Sequence, residues 1–437
     1  MANEKPGKRV PAGRLARVGR LGALAGRIAS SVVTQGAGQW MRGERPQLSS
    51  LLLTPANITR IANQLATMRG AAMKIGQLIS MDGGDFLPPE LAEILARLRE
   101  DAEPMPKAQL INVLDRNWGE GWQDTLLYFS FAPVAAASIG QVHKTITMDG
   151  ETLAVKVQYP GVKERIDADV DNVSSLIRLS GLIPKDVALN TILDDAKAQL
   201  HQEADYQREA KMLTRYQALC GDSDLFITPS VYPALTTETV LAMTYLNGDP
   251  IESLQSADQA TRNTVMTGLM RLFFQEVFDF RLLQSDPNLA NYRYQRDTGK
   301  VILLDFGATR EIPPSVSEGY RTLLQAASRN DPELMRKTAL ELGLMLETHT
   351  QRQQDAVVEM GLTACEAVRS DTPYDFGQTE LLMRLHNMGM SLTYEHNFWH
   401  VPPADALFIH RKLGGLYLLA KRLDAQVDMQ AVASPWL

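Results

Sequence analysis

Cysteine is almost missing from this sequence: Cys220 and Cys365 stand far apart and in no C-x-x-C pattern. That excludes a disulfide framework and a cysteine zinc site, and it fits a reducing compartment. No unbroken apolar run reaches the roughly 18 residues of a membrane-spanning helix, so none is expected. The seven histidines are scattered, without H-E-x-x-H, and no metal role is given to them. A large excess of one charge is lacking too, the net being −7, with 45% hydrophobic and 22% charged residues. Those are the proportions of an ordinary globular protein. At 437 residues the chain is too long for one small core, and two or three lobes are expected.

The net charge hides an asymmetry. Residues 1–45 hold nine basic residues against Glu4 and Glu44, a local net of +7 that leaves −14 for the rest. Within them, Leu15, Val18, Leu21, Leu24 and Ile28 recur at helical steps beside Arg14, Arg17, Arg20 and Arg27. Residues 12–35 therefore read as a basic amphipathic helix for an anionic membrane, as a solvated basic tail, or as an organelle-targeting peptide.

The informative stretch, residues 283 to 310, reads LQSDPNLANYRYQRDTGKVILLDFGATR. Asp286 is followed five residues later by Asn291, and Asp305 opens an Asp-Phe-Gly triplet after the apolar strand residues Val301 to Leu304. A D-x-x-x-x-N loop is the spacing in which phosphoryl transfer uses Asp to orient a nucleophile and Asn to hold a metal. Asp-Phe-Gly supplies the second metal ligand, and hard oxygen donors of this kind suit Mg²⁺. Either half alone is an ordinary turn. Together and in this order they read as kinase-like chemistry.

Upstream, residues 54–115 carry helical patterning, with Lys74 and Gln77 three apart on one face. From Phe129 the period changes to that of strands, and Asp149-Gly150 marks a hairpin between 141–148 and 152–158. Lys156 lies in Leu-Ala-Val-Lys-Val, an apolar strand where a charge needs a partner or a task. It stands where a kinase carries its phosphate-pairing lysine; the plain alternative is a lysine snorkelling from an edge strand. The preceding loop holds Ala135, Ala136 and Ala137 where glycines would let backbone close on phosphates, with Ser138 as a candidate donor.

A helix is expected to about Leu182 and another from about Asn190 to Leu219, the second carrying Glu203, Asp205 and Glu209. Asp205 and Glu209 fall four apart on its face, and Glu209 is the natural helix partner of Lys156. Strands at 230–235 and 240–246 would complete a small antiparallel sheet of about five strands. Asn247-Gly248-Asp249-Pro250 breaks the chain where a kinase hinge falls, and Met243 and Tyr245 just before it are nucleotide-binding candidates. Beyond lie mainly helices, at 258–282, 314–345, 351–370, 376–390 and 404–424, with Leu and Met at core spacing.

Lys74-Ile75-Gly76-Gln77, the alanine loop at 135–138, Glu203-Ala204-Asp205, Lys156, Glu209, Asp286/Asn291 and Asp305 form one ordered set. It resembles the UbiB family, also called AarF- or ADCK-like atypical kinases, over about residues 50–425. QSDPNLAN looks more like the branch near the mitochondrial members than like the HxDxHPGN form. The resemblance implies an α+β, bilobal protein-kinase-like fold with a small antiparallel-sheet N-lobe, a helical C-lobe and an added helical N-terminal extension. The matching domain expectation is a segment 1–45, an extension 46–125, an N-lobe 126–247 and a C-lobe 248–437.

The resemblance also implies roles. Lys156 would contact the α/β-phosphates, oriented by Glu209; Asn291 and Asp305 would hold Mg²⁺; Asp286 would orient the attacking water or hydroxyl. Lys74 and Gln77 would fold over the site toward Glu203 and Asp205 and regulate access. The cofactors are ATP or ADP with Mg²⁺. Implied partners are a membrane lipid or isoprenoid quinone precursor, ubiquinone-biosynthesis proteins and a second copy in a homodimer; nothing points to nucleic acid. The implied function is a lipid-responsive ATPase supporting ubiquinone biosynthesis. Its implied location is cytoplasmic, peripheral on the inner face of a membrane, or the matrix side in a mitochondrion. A small-molecule or lipid kinase and a nucleotide-switched scaffold are the rivals. Conventional protein kinase activity is disfavoured by the sequence itself: GATREIPPSV leads straight into a helix, there is no Ala-Pro-Glu, and Thr309 is the only hydroxyl before Ser315.

Overall fold

The computed structural model describes residues 104–437 apart from 138, 181–188, 222, 397 and 399. The expectations for residues 1–45, Lys74, Gln77 and Ser138 lie outside the described residues. The described chain divides into two units, 104–207 with 232–245 and 208–231 with 246–437.

The first unit is built on an antiparallel sheet. Helix α1 (Lys107–Trp118) starts after Pro106 and ends at Gly119, whose φ of 87° suits a residue without a Cβ. Strands β1 (Leu126–Phe129), β2 (Ala135–Ala136), β3 (Gly140–Thr147), β4 (Thr152–Gln158) and β5 (Val240–Thr244) follow. The sheet runs β1-β3-β4-β5, with β2 paired to β3. Asp149-Gly150 turns β3 into β4, with Gly150 at φ 88° and its N–H donating to Thr147 O at 3.0 Å, the closing bond of a tight turn. Strand period two sends Val155 and Val157 to one face, where they meet Leu110, Val113, Leu114 and Trp122, and sends Lys156 to the other. Each fully buried aliphatic chain there contributes about 1.5–3 kcal/mol.

Two expectations about this unit need correction. Residues 230–235 are not a strand: Pro233 lacks an N–H and opens a 3₁₀ turn to Leu235, so only Tyr232 N reaches Ala242 O. The fifth strand is instead the two-residue β2. The helix expected from 190 to 219 is two helices, α3 (Leu189–Glu203) and α4 (Tyr206–Cys220), after α2 (Ile166–Ser180). The Ala204 carbonyl accepts from Gln158 Nε2 at 3.0 Å instead of serving a continuous helical ladder. Asp205 takes the N-cap position of α4, a place that carboxylates favour. Glu203 and Glu209 therefore lie on different helices.

The second unit holds the remainder. Helix α5 (Gln259–Phe274) is capped by Asp258, whose Oδ1 accepts from Thr261 N at 2.8 Å. The helix expected to reach 282 stops there; a π-helical turn, Gln275–Asp279, follows, and the chain then extends as β6 (Leu282–Gln284). Strands β7 (Tyr292–Gln295) and β8 (Lys300–Leu303) form a hairpin flanked by Phe226–Ile227 and Asp249–Pro250, and β9 (Thr309–Glu311) pairs with β6. The helix expected over 314–345 is split into α6 (Pro314–Ser328) and α7 (Pro332–Glu341). Asn330 is left-handed at φ 51°, Asp331 caps the new start, and Pro332 cannot continue a helix. Helices α8 (Gln351–Ala364), α9 (Leu381–Tyr394) and α10 (Ala404–Arg422) complete the unit with a short terminal helix, Met429–Ala433. Among the described residues, no helix is long and apolar enough to cross a membrane.

Candidate active site

In the first unit Lys156 is held inside the sheet. It lies on β4 between Val142 of β3 and Leu241 of β5, so the edge-strand alternative does not apply. It is buried, and its Nζ stands 5.3 Å from the ring centroid of Tyr206, which is itself fully buried. The backbone beneath is close: a Cβ on Gly140 would meet Val157 O at 2.4 Å and the Tyr206 hydroxyl at 2.9 Å. Ala135 and Ala136 pair with Val142 and Gln141 and are exposed, while Ala137 N donates to Gly140 O at 2.9 Å. The alanine segment is thus strand-like, a conformation that needs no glycine. Met243 pairs with Ala154, and Tyr245 lies under the Lys144 ammonium at 4.7 Å. Glu203 closes α3 and Asp205 opens the turn into α4, both half-buried.

A buried polar chain crosses the same sheet. Met105 N donates to Gln141 Oε1 at 2.7 Å, which turns Gln141 Nε2 toward His143 Nε2 at 2.8 Å. His143 Nδ1 faces Ser130 O at 2.8 Å and must therefore carry the ring proton. Desolvation lowers the His143 pKa, opposed by the Ser130 carbonyl.

In the second unit the loop after β6 closes on itself. Asn291 Nδ2 donates to Asp286 Oδ2 at 3.2 Å, Asn288 N donates to Asp286 Oδ1 at 3.3 Å, and Leu304 N donates to Asn291 O at 2.8 Å. That last bond ties the Asp286–Asn291 loop to the residue before Asp305. Asp305 is left-handed at φ 60°, costly for a residue with a Cβ and characteristic of functional positions. Its Oδ1 accepts from Gly307 N at 3.1 Å. A Cβ on Gly307 would lie 3.3 Å from both Asp305 Oδ1 and Glu209 Oε2, so a glycine lets two carboxylates border one point. Glu209 is 2% exposed. The carboxylate of Asp305 and the amide oxygen of Asn291 are hard-oxygen donors of the kind that fits Mg²⁺, which takes one or two carboxylates and leaves room for phosphate oxygens and water.

Several contributing residues escaped the sequence reading. Arg208, next to Glu209, donates to the Gly307 carbonyl at 2.8 Å and to the Thr309 carbonyl at 2.5 Å. Arg411 of α10 places NH2 3.6 Å from Asp286 Oδ1 with its own side chain 5% exposed. Lys412 pairs with Glu276 Oε2 at 3.6 Å, both fully enclosed. Burial pushes the Glu276 carboxyl up, opposed by Lys412; desolvation depresses Lys412, but Glu276, Tyr292 and Asp286 outweigh it and leave it raised. The available signal was a charge inside an apolar run, Glu276 in LFFQEVFDF and the adjacent cations in FIHRKLGG.

Residues 97–339 match the ABC1 atypical kinase-like domain. Over 421 residues the chain is 37% identical to a Saccharomyces cerevisiae protein named atypical kinase COQ8, mitochondrial, covering 96% of this chain and 83% of that one. It is 34% identical over 423 residues to the Danio rerio atypical kinase COQ8B, mitochondrial, covering 96% and 68%. In fold it is similar to Rv3197 of Mycobacterium tuberculosis, solved as a complex with erythromycin, at a TM-score of 0.61 and 22% identity, over 83% of this chain and 90% of that one.

Proposed function

The chain belongs to the ABC1 atypical kinase-like family, and on that premise we propose that it binds ATP or ADP with Mg²⁺ and transfers or hydrolyses the terminal phosphoryl group. The observation that carries the reading is the Asn291–Asp286 hydrogen bond in a loop tied through Leu304 to the left-handed Asp305.

Lys156 is assigned to the α/β-phosphates, because an ammonium buried on a central strand is a fixed point charge of the kind that pairs with phosphate oxygens. Asn291 and Asp305 are the residues that would hold Mg²⁺, which when bound would neutralise charge on the phosphate oxygens. Asp286 orients the acceptor hydroxyl or water, and Asn291 fixes the rotamer from which it does so. We assign the acceptor to water at a lipid surface, making the protein a lipid-responsive ATPase that supports ubiquinone biosynthesis. The short segment after Asp305 favours this over protein phosphorylation. Thr309–Glu311 pairs straight back onto Leu282–Gln284, and α6 begins at Pro314, which leaves little chain to form a peptide platform.

The test is Mg²⁺-dependent ATP hydrolysis by the purified protein, with and without anionic liposomes, beside Asp305→Asn. Turnover that rises on liposomes and disappears in the variant supports the reading. Tight nucleotide binding without turnover in either condition would replace it with a nucleotide-switched scaffold, and a phosphorylated lipid in the extract would replace water with an alcohol acceptor.

A further inference from the structure

Lys412 sits on α10, beyond the stretch that matches the family domain, and its ammonium is buried in the second unit. Burying a charge costs several kcal/mol unless partners compensate, and an apolar pair of similar volume is often at least as stable. A core alone therefore gives little reason for Lys412 and Glu276. Their contacts give one.

Lys412 Nζ donates to Gln284 O at 2.8 Å and to Gln284 Oε1 at 3.3 Å. An ammonium has three donors and no acceptor, so it admits only the oxygen end of the Gln284 amide. The nitrogen end must then face away, and Nε2 donates to Leu304 O at 2.5 Å and Asp305 O at 2.9 Å. Glu276 completes the fixation: its Oε1 accepts from Gln284 N at 3.1 Å and from the Tyr216 hydroxyl at 2.7 Å. The two carbonyls held by Gln284 belong to Asp305 and the residue before it, where the backbone turns left-handed.

We infer that Lys412 is a positioning residue for Asp305, acting through the Gln284 amide with Glu276 as its counter-charge. The metal-binding role of Asp305 rests on the function proposed above; the hold on its backbone does not. Without Lys412, the Gln284 side-chain oxygen and main-chain carbonyl lose their donor, and the amide is no longer anchored on the side away from the two carbonyls that it holds, which loosens the turn.

Lys412→Met alone would strand the Glu276 carboxylate, so the deciding proteins are the double variant Lys412→Met/Glu276→Leu and the single variant Gln284→Glu. In ligand-free protein, amide exchange over 304–307 is expected to quicken about tenfold while α5 and α10 keep their protection. The Mg²⁺ concentration giving half of the ADP-induced rise in Tm is expected to increase about 10–100-fold, the usual effect of removing a support behind a metal ligand. Unchanged exchange at 304–307 in a folded double variant would overturn the inference. So would uniform loss of protection across α5, α10 and 304–307, which is the mark of a merely structural pair. If wild type shows no Mg²⁺-dependent response to nucleotide, the phosphoryl-transfer reading fails, and the exchange measurement still decides the role of Lys412.

Discussion

Asn291 donates its side-chain amide to Oδ2 of Asp286 at 3.2 Å, joining the two ends of a single loop. Asn291 is 6% exposed, and its own N–H donates to Asn288 O at 2.9 Å. Replacing Asn291 with Ala removes one net hydrogen bond, worth about 1 kcal/mol of stability. It should lower Mg²⁺-dependent turnover far more, by about 10–100-fold. Steady-state hydrolysis beside a thermal melt separates the two effects; turnover within threefold of wild type would take Asn291 out of the site.

Arg411 reaches the other oxygen of the same carboxylate from α10. A lysine at this position keeps the charge and loses the planar fork, so Arg411→Lys is not a neutral change. We expect Arg411→Lys to fold with a Tm near wild type and to lose about tenfold in turnover, since Asp286 then keeps fewer of its orienting contacts. Equal activity in the two proteins would confine Arg411 to packing.

The two adjacent glycines of α10 should respond in opposite ways. A Cβ at Gly415 would come within 2.4 Å of Pro287 Cβ, next to Asp286, whereas one at Gly414 meets nothing within 4 Å. Overpacking of this kind costs about 1–3 kcal/mol, while Gly→Ala on an open helical position gains up to about 1 kcal/mol. Gly415→Ala should therefore lower both Tm and turnover, and Gly414→Ala should leave turnover alone and hold or raise Tm. A pair of melts and a pair of rate measurements check it.

The polar chain through His143 predicts how the first unit responds to acid. Its ring must stay neutral to accept from Gln141, and its pKa is lowered on folding by burial. Below the ordinary value of 6.5 the unfolded chain gains a proton that the folded ring resists. The stability His143 supports is thus present above pH 6.5 and is lost as pH falls below it. Denaturant midpoints at pH 7.5 and 5.5 should differ more for wild type than for His143→Gln, which can make the same two contacts without titrating. Equal pH dependence in both proteins would assign the acid sensitivity elsewhere.

The elements that the sequence disclosed are those with a local cause. Alternation in β4, the Asp149-Gly150 turn and the D-x-x-x-x-N spacing each depend on residues near in sequence, and each is found where the pattern placed it. Two of the misread elements depend on partners far away, whereas 230–235 and 314–345 break at Pro233 and Pro332. The helix over 190–219 breaks because a carbonyl is engaged by Gln158 from another element, and nothing within Glu203-Ala204-Asp205 announces that. The end of α5 is a π-helical turn that buries Glu276 against Lys412, a residue more than a hundred positions later. Of the candidate site, the residues proposed for chemical roles were read by type and order. Among the residues that hold them, Arg208, Glu276, Arg411 and Lys412 carry no motif of their own and are recognised only through their contacts, and Gln284, the first residue of QSDPNLAN, shows its part only in its hydrogen bonds.

The chain after Asp305 has one more consequence. Arg208 donates to the carbonyls of Gly307 and Thr309, β9 pairs with β6, and Thr309 is fully buried. A conventional kinase switch works by adding phosphate charge that recruits an arginine and orders a slack segment. Here an arginine already grips the segment through main-chain oxygens, with no modification involved. A covalent mark on Thr309 would first have to pull that hydroxyl out of the interior, and so would unmake the arrangement. A mark at this position is therefore expected to loosen the segment, where the conventional switch orders it.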